Sequence, residues 1–217
     1  MYEAKLIKTL EKMPAFSLAD VAKIVGSREY SKKLLQRLVK ENTIKRVMRD
    51  KYTFQDDDFI IAPFLYLPSY ISCASALSYH GLISQIPTSL FLISKKRSKV
   101  IKYKRDIVYN TTKHYFGFNY IEYNGVKIPI AEPEKAFIDS IGIHPLHIVA
   151  EAIDELDKNK LIEYAKKCNQ IKRIGYLLEK RGDKTDIKKL SNKYIYLDSL
   201  GIKKGKKDKK WKLIVNY

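Results

Sequence analysis

A chain of 217 residues and 25.3 kDa is long enough for one large domain or two small ones, at roughly 100–200 residues per domain. Hydrophobic residues at 45% and charged residues at 30% lie near globular averages, which excludes wholesale disorder and collagen-like or mucin-like chains. The departure is the charge: 42 Lys and Arg against 24 Asp and Glu give +18 and a pI near 9.6, an excess that puts nucleic acid first among candidate partners.

The excess is local. Residues 1–58 carry 13 basic and 9 acidic side chains, 59–93 carry none, 94–113 carry 8 against 1, 114–157 carry 2 against 8, and 158–217 carry 19 against 6. The uncharged stretch fails as a membrane span, because Pro63, Pro68 and Pro87 interrupt it and His80 and Gln85 would sit in lipid. Cys73 and Cys168 are far apart without a CxxC spacing, so both are expected to be reduced and structural. The charged start MYEAKLIKTLEKM has no apolar h-region, and a cytoplasmic chain is expected.

Leu6, Leu10 and Met13 share one face of a first helix, which Pro14 stops. Ser17, with Asp20 three residues on, starts a short second helix whose stripe of Leu18, Val21, Ala22 and Val25 ends at Gly26. Ser27 caps a third helix that turns Ser31, Leu34, Leu35 and Leu38 inward and Glu29, Lys32, Lys33, Gln36, Arg37 and Lys40 outward. Such a pair is the helix-turn-helix arrangement, whose second helix enters the major groove. Ile44–Val47 and Tyr52–Phe54, around Arg49-Asp50-Lys51, read as a hairpin, the wing. The DNA-contacting set expected from this reading is Ser27, Arg28, Glu29, Tyr30, Lys32, Lys33, Gln36, Arg37 and Lys40 of the helix, with Lys45, Arg46, Arg49 and Lys51 of the wing along the phosphates.

The remainder reads as a mixed domain. A helix over 72–80 ends at Gly81; strands follow at Ser89–Ile93 and Ile101–Tyr109 with a basic loop between them. A second hairpin turns at Asn124-Gly125. Pro133 opens a helix, further helices are expected at 145–156, 159–167 and 171–180, and the strands Tyr194–Leu197 and Trp211–Val215 flank a lysine loop. The fold class is therefore α+β: an N-terminal winged helix-turn-helix (1–58) followed by a larger mixed α/β C-terminal domain (63–217). Two basic stretches, Lys95, Lys96, Arg97, Lys99, Lys102, Lys104, Arg105 and Lys203, Lys204, Lys206, Lys207, interleave with Tyr103 and Trp211, which suits phosphate contact with base stacking.

Several strings, in order, resemble the AbiEi-type antitoxins, transcriptional regulators of type IV toxin–antitoxin and abortive-infection systems. They are Ser75-Ala76-Leu77-Ser78-Tyr79-His80-Gly81-Leu82 with Gln85-Ile86-Pro87, Ala131-Glu132-Pro133-Glu134-Lys135-Ala136, Arg173-Ile174-Gly175-Tyr176-Leu177-Leu178-Glu179, and Trp211-Lys212-Leu213-Ile214-Val215-Asn216. The resemblance implies a repressor that binds repeats in its own promoter as double-stranded DNA. It also implies that the C-terminal domain counteracts a nucleotidyltransferase-type toxin without requiring a direct complex; the two basic stretches of that domain are our own expectation for where this role sits. Met48 and Asp50 stand where such proteins favour glycines in the wing turn. A stand-alone regulator, or an RNA- or protein-binding module using the C-terminal basic surface, are the alternatives. A monomer or weak dimer is expected.

Enzyme motifs are lacking: there is no GxGxxG, GxxxxGK[ST], HExxH or GxSxG, so no cofactor is expected. The nearest approach to a metal set, His144 and His147 with Glu151, reads better as a helix-terminus histidine group, and no metal is expected. His80 reads as a core or cap histidine.

Overall fold

Helix α1 (Tyr2–Glu11) buries Leu6 and Leu10 and leaves its charged face to solvent. Helix α2 (Leu18–Val25) opens with a capping box. Ser17 Oγ accepts the Asp20 amide at 3.2 Å while Asp20 Oδ2 accepts the Ser17 amide at 2.8 Å. It closes at Gly26, whose φ of +80° is the left-handed stop. Helix α3 (Arg28–Lys40), capped by Ser27, buries Ser31, Leu34, Leu35 and Leu38; Ser31 is tolerated there because its hydroxyl donates to the Ser27 carbonyl at 2.7 Å. Strands β1 (Lys45–Met48) and β2 (Lys51–Thr53) pair as an antiparallel hairpin. At its turn Asp50 takes φ +59°, a conformation that Asp tolerates better than most residues, and its carboxylate accepts the Leu18 amide at 3.0 Å. These elements enclose a small core that includes Leu10, Phe16, Val21, Leu35, Leu38 and Ile44. The computed structural model describes residues 2–183, 185 and 191–216.

Helix α4 (Asp58–Leu65) carries the uncharged segment into a second, larger core, where Ile61, Ala62 and Leu65 pack. Strand β3 (Ser69–Ile71), helix α5 (Cys73–Tyr79) and strands β4 (Leu90–Ser94), β5 (Lys99–Lys102), β6 (Asp106–Thr111), β7 (Phe118–Tyr123) and β8 (Val126–Ala131) follow. The strands form one mixed sheet in the order β5-β6-β4-β3-β8-β7, with β4/β6 and β3/β8 parallel. The Asn124-Gly125 turn has φ of +48° and +76°, as a two-residue hairpin turn of primed type requires. Helices α6 (Pro133–Ser140), α7 (Leu146–Val149, continued as a 3-10 segment Ala150–Glu155), α8 (Lys158–Lys167) and α9 (Ile171–Lys180) follow. Strands β9 (Ile195–Tyr196), β10 (Lys206–Asp208) and β11 (Leu213–Val215) make a separate three-stranded sheet.

Three expectations from sequence are corrected. The single strand over Ile101–Tyr109 is two antiparallel strands, β5 and β6, folded at Tyr103–Arg105 and closed by the Lys102–Asp106 ion pair at 2.8 Å. The helix over 145–156 is one α-turn followed by a 3-10 segment. The lysine loop contains strand β10, and Trp211 is buried, so this ring is no stacking platform. Its indole N–H donates to Glu179 at 2.7 Å and its ring lies over Gly175 of α9. A Cβ at Gly175 would stand 2.0 Å from the indole, so Gly175→Ala is expected to cost about 1–3 kcal/mol, read as a lowered urea midpoint.

The two cores touch. Val47 of β1 belongs to the larger one, and the acidic linker is held from both sides. Asp56 pairs with Lys45 of the hairpin and with Lys104 at 3.1 Å, and Asp58 takes both ends of the Arg105 guanidinium at 2.8 and 2.9 Å. The hairpin is thereby fixed against the larger domain.

Candidate nucleic-acid interface

A cavity of about 460 Å³ opens between the start of α2, the first turns of α3 and the hairpin. Arg28, Lys32 and Gln36 project into it from successive turns of α3, because residues four apart share a helix face. Arg46 and Arg49 line it from the hairpin, and Leu18, Leu35 and Tyr52 form its floor. Strand alternation explains the division of the hairpin: Arg46 points to the groove while Val47 packs on the larger core. Among the described residues, Arg28, Lys32, Arg46 and Arg49 form no ion pair, so four cationic donors and one amide stand in a concave site with Asp50 the one acid in its lining. Asp50 is spoken for by the Leu18 amide.

The other expected contact residues divide into three groups. Glu29, Lys33 and Lys40 are exposed along α3 beside the groove, and Tyr30 is 48% exposed near the start of that helix. Ser27 spends its side chain on the helix cap. Arg37 is bound by Glu3 of α1 and lies 3.9 Å from Glu41, and the hydrogen bond to Glu3 pushes its pKa further up. The two hairpin lysines depart from the expectation of phosphate contact. Lys45 binds Asp56, and Lys51 donates to the Phe64 carbonyl at 3.4 Å, both because those positions face the larger domain.

On the larger domain, Lys102, Lys104 and Arg105 are paired with Asp106, Asp56 and Asp58; Lys102 and Lys104 stay exposed and Arg105 is half-buried, so their charge is offset in place. Hydrogen bonds from Lys45 and Lys104 hold Asp56 below the usual carboxylate range. Lys95, Lys96 and Arg97 are exposed and Lys99 is half-exposed. Lys203, Lys204, Lys206 and Lys207 are exposed at the other sheet, where Lys203 also reaches the Ser199 carbonyl. Tyr103 packs against the larger core, half-buried.

One constellation carries no sequence expectation. Lys135 is wholly buried, ion-paired to Asp139 one turn on and 3.0 Å from the Tyr70 hydroxyl; Asp139 also accepts from Tyr70 at 2.9 Å and from Ser72 at 2.8 Å. Burial pushes the Asp139 carboxyl up, against the neighbouring ammonium. The spacing of Lys135 and Asp139 is visible in the sequence, but i,i+4 pairs of opposite charge are ordinary on helix surfaces.

His80, at the end of α5, donates from Nε2 to the Ala131 carbonyl at 2.9 Å. His144 is buried edge-on to Phe91, His147 is exposed and Glu151 accepts from Ser84 at 2.6 Å; among the described residues no group of three His, Cys, Asp or Glu is placed to hold a metal. Burial lowers the His144 pKa to about 4. Since its unfolded value is near 6.5, the unfolded chain binds the proton first, and stability falls as pH drops from about 6.5 towards about 4, by up to about 3 kcal/mol. Thermal melts across that window are expected to show the fall in the native chain and a flatter profile in His144→Gln.

No protein-family profile matches the chain, and no curated protein matches it. Among the described residues no helix is long and apolar enough to cross a membrane.

Proposed function

We propose that the chain is a DNA-binding transcriptional regulator, with residues 1–58 acting as a winged helix-turn-helix. In this reading α2 and α3 are the helical pair, α3 enters the major groove, and the β1–β2 hairpin is the wing. The observation that carries it is the groove in which Arg28, Lys32, Gln36, Arg46 and Arg49 converge without an ion-pair partner among the described residues. Arginine and lysine can donate to guanine O6 and N7, glutamine can pair with adenine, and the hairpin arginines suit phosphate or the adjacent minor groove. Within that class, the resemblance of the quoted strings supports an AbiEi-type antitoxin. Such a protein is cytoplasmic, represses its own operon from repeats in the promoter, and offsets a nucleotidyltransferase-type toxin. We assign it no reaction and no cofactor.

A reporter fused to the chain's own upstream region tests the regulatory reading. Expression of the chain is expected to lower reporter output, and Arg46→Glu to restore it at equal protein level. Output unchanged by the native chain overturns the reading.

A further inference from the structure

Loop 94–99 joins β4 to β5 at the end of the six-stranded sheet, and its lysines reach rings on both sides of that sheet. Lys95 Nζ lies 5.0 Å from the Tyr115 ring centroid, and Lys96 and Lys99 Nζ each lie 5.2 Å from that of Tyr66. Tyr66 packs edge-on against Tyr109, which is opposite Leu92 of β4; Tyr115 packs edge-on against Tyr70, which is opposite Ile93. Neighbouring residues of a strand point to opposite faces, so the two tyrosines flank the sheet. From Tyr115, half-buried like Tyr66, the aromatic row continues through half-buried Phe118, at 5.1 Å, to Tyr120, at 6.5 Å and 66% exposed on edge strand β7. Residues 94–99 contain no acid, and among the described residues Lys95, Lys96, Arg97 and Lys99 form no ion pair.

We propose that this ribbon is a binding surface for single-stranded nucleic acid. Lysines along the loop take the backbone phosphates, and bases stack on Tyr120, Tyr115 and Tyr66, since every base offers a π-face to an aromatic ring. The path decides between single strand and duplex. It bends round the end of a sheet, over a distance at which duplex DNA, with a persistence length of about 150 bp, is straight. A single strand follows the bend; a duplex reaches one face only. The lysines now lying over the rings are long and rotatable, so a stacking base can displace each ammonium to the adjacent phosphate. This surface is separate from the α3 groove and independent of duplex recognition there.

The test is fluorescence anisotropy of the full-length chain with a labelled 12-nucleotide oligouridylate, alongside a duplex of the chain's upstream DNA. Saturable binding of the single strand is expected, weakened at least about fivefold by Tyr120→Ala and restored by Tyr120→Phe. Replacing Lys95, Lys96 and Lys99 by Ala is expected to flatten the salt slope by about 0.7 for each phosphate left without its lysine. Duplex affinity is expected to be unchanged by Tyr120→Ala. Absence of saturable single-strand binding, an unaltered affinity in Tyr120→Ala, or an equal loss on duplex and single strand each overturns the proposal; the groove variants, read on duplex, report separately on the regulatory reading.

Discussion

The double variant Lys32→Glu/Arg46→Glu is expected to lose at least about a hundredfold in affinity for upstream duplex, with an unchanged melting temperature. Both side chains are exposed, line the groove from opposite walls and have no ion-pair partner among the described residues, so their reversal disturbs no contact that holds the fold. Exposed substitutions of that kind stay within about 0.5 kcal/mol in stability. In the bound state each reversal replaces attraction by like-charge repulsion against phosphate or a base edge, at a cost of a few kcal/mol. Arg37→Glu is expected to be a poorer probe of the interface. It also places a third carboxylate beside Glu3 and Glu41, so a change in melting temperature accompanies any change in binding. Anisotropy titrations paired with thermal melts of the same samples check both parts. A hundredfold loss accompanied by unfolding would assign the groove residues to the scaffold instead.

The largest effect on stability is expected at Lys135. Its ammonium is fully buried, and the Asp139 carboxylate that answers it is 6% exposed. Removing one member strands the other charge in a low-dielectric core, so Lys135→Met is expected to destabilise by about 3–5 kcal/mol in urea unfolding. Pairing it with Asp139→Leu removes the stranded charge, and the double variant is expected to lose less than the single one, with the Tyr70 and Ser72 hydroxyls left short of an acceptor. A single variant as stable as the native chain would mean that water or neighbouring groups solvate the pair, contrary to its burial. Specific packing around it points the same way. Lys135 lies 5.6 Å from the Tyr70 ring centroid and 5.3 Å from that of Phe116, and a side chain at Gly117 would meet its stem at 3.0 Å.

Local chemistry makes the first three helices legible. Ser17, Asp20, Gly26 and Ser27 are start and stop signals that act within a few residues, and the buried faces of α1 and α3 follow the 3.6-residue period. The Asn124-Gly125 hairpin is legible for the same reason. The fold at Tyr103–Arg105 is not, because it contains no Gly, Pro, Asn or Asp; Arg105 is fixed by Asp58, 47 residues away. Trp211 looks available for stacking in the sequence because its burial depends on a missing side chain at Gly175, 36 residues earlier. The candidate groove is half legible. The helix signals place Lys32 and Gln36 outward, whereas the pairing of Lys45, Lys104 and Arg105 with the acidic linker is a tertiary event that no local pattern reports.

Recognition of DNA upstream of the chain's own gene by the α3–hairpin groove is the proposal on which the regulatory role stands. Its decisive test is fluorescence anisotropy of the full-length protein on that DNA and on a scrambled duplex, across about 50 to 200 mM salt. Preference for the upstream sequence is expected, with a steep loss of affinity with salt on both duplexes and disappearance of the preference in Lys32→Glu/Arg46→Glu. Equal, salt-sensitive binding to both duplexes by the native chain would refute sequence recognition and reduce the +18 to a general polyanion surface.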